Sequence, residues 1–141
     1  MKAVARFALA QHQGPYETWP VRTSVIIDSQ PSDLTIPGFT LLRQYETTAG
    51  YLLVTDFDCP FEEAVCFALI DKDLRTVLSE RTVGQWYNSY ILDEVEWLDD
   101  EHFFATFHGQ PEYRYEFTIR KYNIPLIYPR LGLTCRCIHE W

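Results

Sequence analysis

Short apolar, β-branched and aromatic runs alternate with turn residues from Tyr51 onward, a pattern typical of an antiparallel β-meander. We predict strands at residues 51–58, 64–71, 76–83, 90–98, 102–108 and 113–122. Hairpin turns are expected at residues 71–75, 99–101 and 110–112, and longer loops at 59–63 and 84–89.

The periodicity within these strands predicts their surroundings. Residues 64–71 are nearly all apolar, so this strand should be buried on both faces. Residues 76–83 mix polar and apolar positions and should lie near a sheet edge. In strand 90–98 the side chains divide between two faces. The expected apolar face holds Ile91, Val95 and Trp97, and the expected solvent face holds Glu94 and Glu96.

The first fifty residues are less regular. Residues 3–10, 21–28 and 39–46 are strand candidates between proline-bearing loops, and a helix over 2–11 is the main alternative because alanine and leucine favour it. After Asn123, two prolines favour an extended edge segment over a helix. The fold class is therefore predicted to be all-β, with at most one short helix, and the meander should form a sandwich or a barrel.

Length and composition predict one domain over residues 1–141 with a single core, and aromatic residues make up 16% of the chain. No apolar run approaches the roughly 18–20 residues of a membrane-spanning helix, so we expect a soluble protein. Four cysteines lack the spacing of a disulfide framework, which favours a reducing cytoplasm. They are Cys59, Cys66, Cys135 and Cys137.

The net charge of −8 disfavours nucleic acid and anionic membranes as partners. Residues 51–101 contain thirteen acids and three bases, whereas the rest of the chain contains seven acids and nine bases. The densest group, called here the acidic cluster, has no base among its members. It comprises Asp93, Glu94, Glu96, Asp99, Asp100 and Glu101, and Glu62 and Glu63 would join it if their loop lies nearby.

The acidic cluster has two interpretations. It can be a solvated strand edge and turn whose charges discourage aggregation. It can also be a binding surface for a basic partner, because unbalanced repulsion costs stability unless something offsets it. Trp86 and Tyr87, in the adjacent loop, would then be contact anchors, although aromatics there often only cap a core. Because turn charges contribute little to stability, we expect reversal of Asp99, Asp100 and Glu101 to leave folding nearly unchanged.

No catalytic motif is present: the chain lacks the nucleophile-elbow, zincin, Walker and dinucleotide-binding strings, and no EF-hand loop occurs. A nucleophilic pair of a histidine with Cys59 or Cys66 would meet only in space. Cys135, Cys137 and His139 alternate and would share one strand face, but a tetrahedral zinc needs a fourth ligand. We therefore predict no metal and no cofactor.

In size, acidity, all-β pattern and absence of a catalytic motif, the chain resembles bacterial immunity proteins, which neutralise a cognate toxin made by the same cell. The resemblance implies no catalysis, a cytoplasmic location and one tight protein partner. A basic, nuclease-type toxin domain would fit the acidic cluster. The alternatives are a sandwich or barrel that holds a small apolar ligand among its Tyr and Phe side chains, and an enzyme of unrecognised mechanism.

Overall fold

The computed structural model describes residues 1–15, 18–57, 64–84, 91–108, 113–120 and 130–137. These residues form twelve β-strands and no α-helix. The strands are β1 (Lys2–Ala3), β2 (Phe7–Leu9), β3 (Arg22–Ile27), β4 (Gln30–Pro37), β5 (Thr40–Glu46), β6 (Tyr51–Asp56), β7 (Val65–Ile70), β8 (Val77–Val83), β9 (Ile91–Trp97), β10 (His102–His108), β11 (Tyr113–Ile119) and β12 (Leu131–Cys137).

The strands pair into three antiparallel sheets. The central sheet has the order β1-β5-β6-β7-β8, the C-terminal sheet has β12-β11-β10-β9, and the N-terminal sheet has β2-β3-β4. The central sheet packs on the C-terminal sheet with one face and on the N-terminal sheet with the other. The arrangement is sandwich-like and does not close into a barrel, which confirms the predicted antiparallel all-β fold.

Two apolar clusters occupy the two faces of the central sheet. Along β7, Phe67 and Leu69 enter the cluster shared with the C-terminal sheet, while Ala68 and Ile70 enter the one shared with the N-terminal sheet. Every residue of β7 is buried as a result, which confirms the predicted burial on both faces. The expectation of a single core is wrong, because the sequence does not show that a third layer covers the second face.

Three phenylalanines form the centre of the larger cluster. The rings of Phe103 and Phe117 stack at 4.7 Å between centroids and within 5° of parallel, and the ring of Phe67 lies 4.3 Å from that of Phe117. They come from β10, β11 and β7 respectively, so aromatic packing joins the C-terminal sheet to the central sheet. Stacked aromatic rings stabilise a core both by burying large apolar surfaces and by the preferred geometry of the ring pair.

The N-terminal segment is extended, but it contributes to two different sheets. Lys2 pairs with Glu46 on β5, and Phe7 pairs with Ile27 on β3. Two short strands therefore replace the predicted single strand, and the helical alternative is wrong. The chain changes sheets near Arg6, whose guanidinium donates to Asp28 and to the Tyr51 hydroxyl.

One strand, β4, was expected to be a proline-bearing loop. Asp28 and Ser29 have φ values of 51° and 67°, which form the tight two-residue turn that reverses the chain from β3 into β4. Pro31 and Pro37 are tolerated because β4 is an edge strand of its sheet. The prolines make this segment resemble a loop in the sequence, although β4 buries apolar side chains against the central sheet.

A β-bulge interrupts β9 near its start. Thr106 on β10 pairs with Glu94, but the next residue, Phe107, pairs with Leu92. Asp93 is therefore an extra residue in β9, and the side chains before it lie on the opposite face from the one that strict alternation predicts.

The bulge corrects one expectation about the faces of β9. Val95 and Trp97 face the core as predicted, but Ile91 is 51% exposed, and it does not share their face. The indole of Trp97 packs against the buried side of the sandwich, and Glu94 and Glu96 are exposed as expected. A one-residue insertion leaves no trace in the hydropathy pattern, so the sequence could not reveal it.

Candidate functional site

The structure separates the acids of residues 51–101 into balanced and unbalanced groups. The turn 71–75 between β7 and β8 holds two acids and two bases, so its charges cancel locally. Glu80 on β8 accepts hydrogen bonds from the guanidinium of Arg22. In residues 93–101, by contrast, six acids occur without a base. Residues 93–101 therefore carry the densest run of acidic side chains in the part of the chain that the structure describes.

Strand β9 lies at one edge of the C-terminal sheet, next to β10. The carboxylates of Glu94 and Glu96 are exposed, and neither makes a hydrogen bond or an ion pair within the described residues. Their cross-strand neighbours are Thr106 and Phe104, which carry no charge to balance them. These two glutamates are therefore available to an external cation.

Exposed apolar side chains stand at both ends of β9. Ile91 is 51% exposed and Leu98 is 62% exposed. Between them, Asp93 faces His108 at 3.4 Å, an ion pair that exists only when the imidazole is protonated and in which both side chains are more than half exposed. Protein-binding surfaces combine apolar contacts with a polar, solvent-accessible rim, and both kinds of group occur here. We call residues 91–98 the β9 edge.

An aromatic side chain lies on the outer face of the same sheet. Phe104 is partly buried between Glu96 on β9 and Glu116 on β11, its two cross-strand neighbours. The guanidinium of Arg114 lies 4.5 Å from the centroid of the Phe104 ring and donates to Glu116 at 2.8 Å. The outer face of the sheet at Phe104 therefore carries one guanidinium of the chain itself, held by the ring and by Glu116.

Asp99 holds the turn between β9 and β10. Its carboxylate accepts the backbone N–H of Glu101 at 2.8 Å and lies 2.8 Å from the Nδ1 atom of His102. These contacts, the hydrogen bond from Glu101 first, lower the pKa of Asp99 below its usual value. The Glu101 side chain is partly buried, and its backbone carbonyl accepts the N–H of Ile119 at 2.7 Å.

Asp100 connects two turns of the fold. Its carboxylate accepts from the backbone N–H of Thr48 at 2.8 Å and from the Thr48 hydroxyl at 2.6 Å, and the α-amino group of Met1 lies 2.5 Å away. Burial alone would raise the pKa of Asp100, but the hydrogen bonds from the amino group and Thr48 outweigh it and lower the pKa to about 2. Asp100 is therefore a structural residue in this turn, and the expectation that its charge can be reversed without cost has to be revised.

Substitution of Asp100 by asparagine should lower the free energy of unfolding by about 1–2 kcal/mol at pH 7, a range already reduced for the partial exposure of the side chain. The folded pKa lies below the unfolded value of about 3.9, so this stabilisation is complete above about pH 4 and is lost as the pH falls through the folded value. Urea unfolding at several pH values measures it. Asp93→Asn is the control, and an equal loss for both variants, or one independent of pH, would refute the structural role of Asp100.

Several predicted site residues cannot be placed. Glu62, Glu63, Trp86 and Tyr87 lie outside the described residues. Of the others, Glu94 and Glu96 are available at the β9 edge, whereas Asp99 and Asp100 are engaged within the fold. No pattern in the sequence marks Leu98, Phe104 or Ile91 as surface contacts, since only the register shows which apolar side chains of β9 and β10 face outward.

The candidate thiols occupy different environments. Cys66 is fully buried in β7, and burial raises the pKa of its thiol to about 11, which disfavours a nucleophilic thiolate. Cys135 is exposed on β12, while Cys59, the side chain of Cys137 and all of His139 lie outside the described residues. No group of three metal-ligating side chains occurs in the described ranges.

The surface beside β5 holds a groove of about 330 Å³. Residues 41–45 line it together with Ala3 and Val4, and Tyr45 is its one aromatic side chain. This composition differs from the dry aromatic pocket that binding of a small apolar ligand would require.

Within the described ranges, no helix is long and apolar enough to cross a membrane. Comparison of the chain with models of known protein families, with curated proteins and with solved structures gives no match.

Proposed function

We propose that this protein is a non-enzymatic inhibitor that binds a basic protein partner through the β9 edge. The observation that carries the proposal is the pair of exposed, unpaired carboxylates of Glu94 and Glu96 on an edge strand, between the exposed side chains of Ile91 and Leu98. This combination supplies long-range attraction for a cationic partner and apolar contacts for the complex that follows.

The partner class follows from the charge. A nuclease cleft is basic because it binds phosphates, and carboxylates on an inhibitor can occupy the same positions. The role is that of bacterial immunity proteins, which act in the cytoplasm on a toxin made by the same cell. A protein with this role needs no catalytic residues of its own.

Protection against aggregation is the competing explanation for the same residues. Charged side chains and a β-bulge on an edge strand both discourage edge-to-edge pairing, and β9 has both. The two explanations predict different results when the charges of Glu94 and Glu96 are removed. If these charges only prevent aggregation, the variant should self-associate. If they bind a partner, the variant should lose that partner.

Co-purification with the products of adjacent genes tests the proposal. We expect the wild-type protein to retain a basic protein that the Glu94→Lys/Glu96→Lys variant does not retain. The control is Asp33→Lys/Asp73→Lys, which makes the same charge change at exposed acids on β4 and on the β7–β8 turn. Retention of the partner by both variants, or by neither, would refute the role of the β9 edge.

A further inference from the structure

We infer that the partner binds by strand addition, so that one of its extended segments becomes the fifth strand of the C-terminal sheet alongside β9. This inference rests on the proposed function and specifies how the β9 edge is recognised. The structure offers three arguments for it: the direction of the backbone groups of β9, the chemistry of its side chains and the position of the bulge.

Two backbone hydrogen bonds determine which groups of β9 point outward. The N–H of Leu98 donates to the carbonyl of His102 at 2.9 Å, so this pair is hydrogen-bonded across the turn. Hydrogen-bonded and non-bonded pairs alternate along an antiparallel ladder, and the pairing between Glu96 and Phe104 continues this register. The backbone groups of Glu94 and Glu96 therefore point toward β10.

The hydrogen bonds between β10 and β11, on the other side of β10, lead to the same assignment. The N–H of Ile119 donates to the carbonyl of Glu101 at 2.7 Å, and Phe103 pairs with Phe117 in the same register. Odd-numbered residues of β10 thus bond to β11, which leaves its even-numbered residues to bond to β9.

It follows that the N–H and carbonyl groups of Val95 and Trp97 point away from the sheet. Neither residue has a backbone partner outside β10 among the described residues. Unpaired edge groups of this kind are a template for a further strand.

The side chains of β9 define what that strand must carry. Cross-strand neighbours stand about 5 Å apart, so every second residue of an added strand would face Glu94 or Glu96, where lysine or arginine is favourable. The residues between them would lie beside Val95 and Trp97, which are only partly buried and would gain apolar neighbours. The segment is therefore extended and alternates basic with apolar residues.

A second copy of this chain does not fit the same edge. Antiparallel pairing of β9 with another β9 would bring Glu94 and Glu96 of both copies together on one face, and like charges on directly opposed residues destabilise a sheet. The bulge at Asp93 also breaks the ladder on one side, so the available template covers residues 94–98. A short basic strand satisfies both conditions.

The probe is an acetylated and amidated heptapeptide that alternates four lysines with three valines, added to the full-length ¹⁵N-labelled protein. We expect amide exchange at Val95 and Trp97 to slow by about tenfold or more on binding, because their N–H groups become hydrogen-bonded. Exchange at Glu94 and Glu96 should change little, since β10 already accepts those N–H groups.

Two control peptides separate strand addition from simple charge attraction. One has the same composition with its lysines grouped, and the other is N-methylated at alternate residues to remove the pairing N–H groups. Both should bind more weakly than the alternating peptide. The Glu94→Gln/Glu96→Gln variant should bind the alternating peptide about two- to thirtyfold more weakly, as expected for the loss of two cross-strand charge pairs.

Equal binding of the N-methylated peptide, no binding of the alternating peptide at millimolar concentration, or equal changes at all four amides would overturn strand addition. If a basic protein still co-purifies through Glu94 and Glu96 while the exchange of Val95 and Trp97 stays unchanged, strand addition alone is wrong. If charge reversal has no effect on co-purification, the proposed function is wrong whatever the peptide does.

Discussion

Replacement of Phe103 by alanine is expected to lower the free energy of unfolding by about 3–5 kcal/mol. Phe103 is 1% exposed and stacks on Phe117 at the centre of the larger apolar cluster. Its ring also lies 4.6 Å from that of Trp97, so the change removes contacts within the sheet and leaves a cavity between the layers. Urea unfolding followed by tryptophan fluorescence and by circular dichroism measures the loss.

The adjacent residue provides a matched control. Phe104 has the same side chain but lies partly buried on the outer face, where its ring contacts the guanidinium of Arg114. Phe104→Ala should therefore cost about 1 kcal/mol or less, the range of a partly exposed cation–π contact. Equal losses for the two variants would contradict the assignment of faces in β10, and with it the packing of the C-terminal sheet on the central sheet.

The strands from Tyr51 onward could be predicted because the hydropathy pattern that defines each of them lies within a short stretch of sequence. Alternation in β10 and β11, and the continuous apolar run of β7, are visible within windows of six or seven residues. The predicted turns at 71–75 and 99–101 are also present, while the turn at 110–112 lies outside the described residues. The sequence does not show which sheets cover the two faces of the central sheet, since that depends on pairing between distant segments.

Two of the wrong predictions concern β4 and β9, and both have physical causes. In β4 the prolines at both ends suggested a loop, yet an edge strand can lose backbone donors on its free side. In β9 the inserted Asp93 shifts the face of every earlier residue, and hydropathy alone cannot locate an insertion. Both features occur in edge strands, which have a neighbouring strand on one side only and are therefore the least constrained by packing.

The acidic cluster was visible in the sequence, but the roles of its members were not. Asp100 is engaged by Thr48, which is 52 residues away in the chain, and Asp99 is engaged by its own turn. Only the structure separates these carboxylates from the available ones of Glu94 and Glu96. For this reason the charge-reversal experiment belongs on β9 and excludes the turn residues.

The Glu94→Lys/Glu96→Lys variant is expected to associate with its basic partner about 10- to 1,000-fold more slowly than the wild type at low ionic strength, the range that electrostatic steering contributes. Its stability should change little, because both side chains are exposed and unpaired in the free protein. Dissociation should accelerate as well if the carboxylates are desolvated against lysine or arginine in the complex.

Salt dependence distinguishes steering from local damage. Attraction between exposed charges is screened within about 8 Å at physiological ionic strength, so the wild-type association rate should fall as salt is added. The rate of the variant should be lower and nearly independent of salt. The Asp33→Lys/Asp73→Lys control has the same net charge as the variant and should keep most of the wild-type rate, which shows that position and not total charge matters.

Stopped-flow association with the co-purified partner, at low salt and at about 0.15 M ionic strength, is the most direct measurement of the role of the β9 edge. The proposed function predicts a fast, salt-sensitive rate for the wild type and the Asp33→Lys/Asp73→Lys control, and a slow, salt-insensitive rate for Glu94→Lys/Glu96→Lys. Equal rates for all three proteins at low salt would contradict it and would leave the carboxylates of β9 as a device against aggregation.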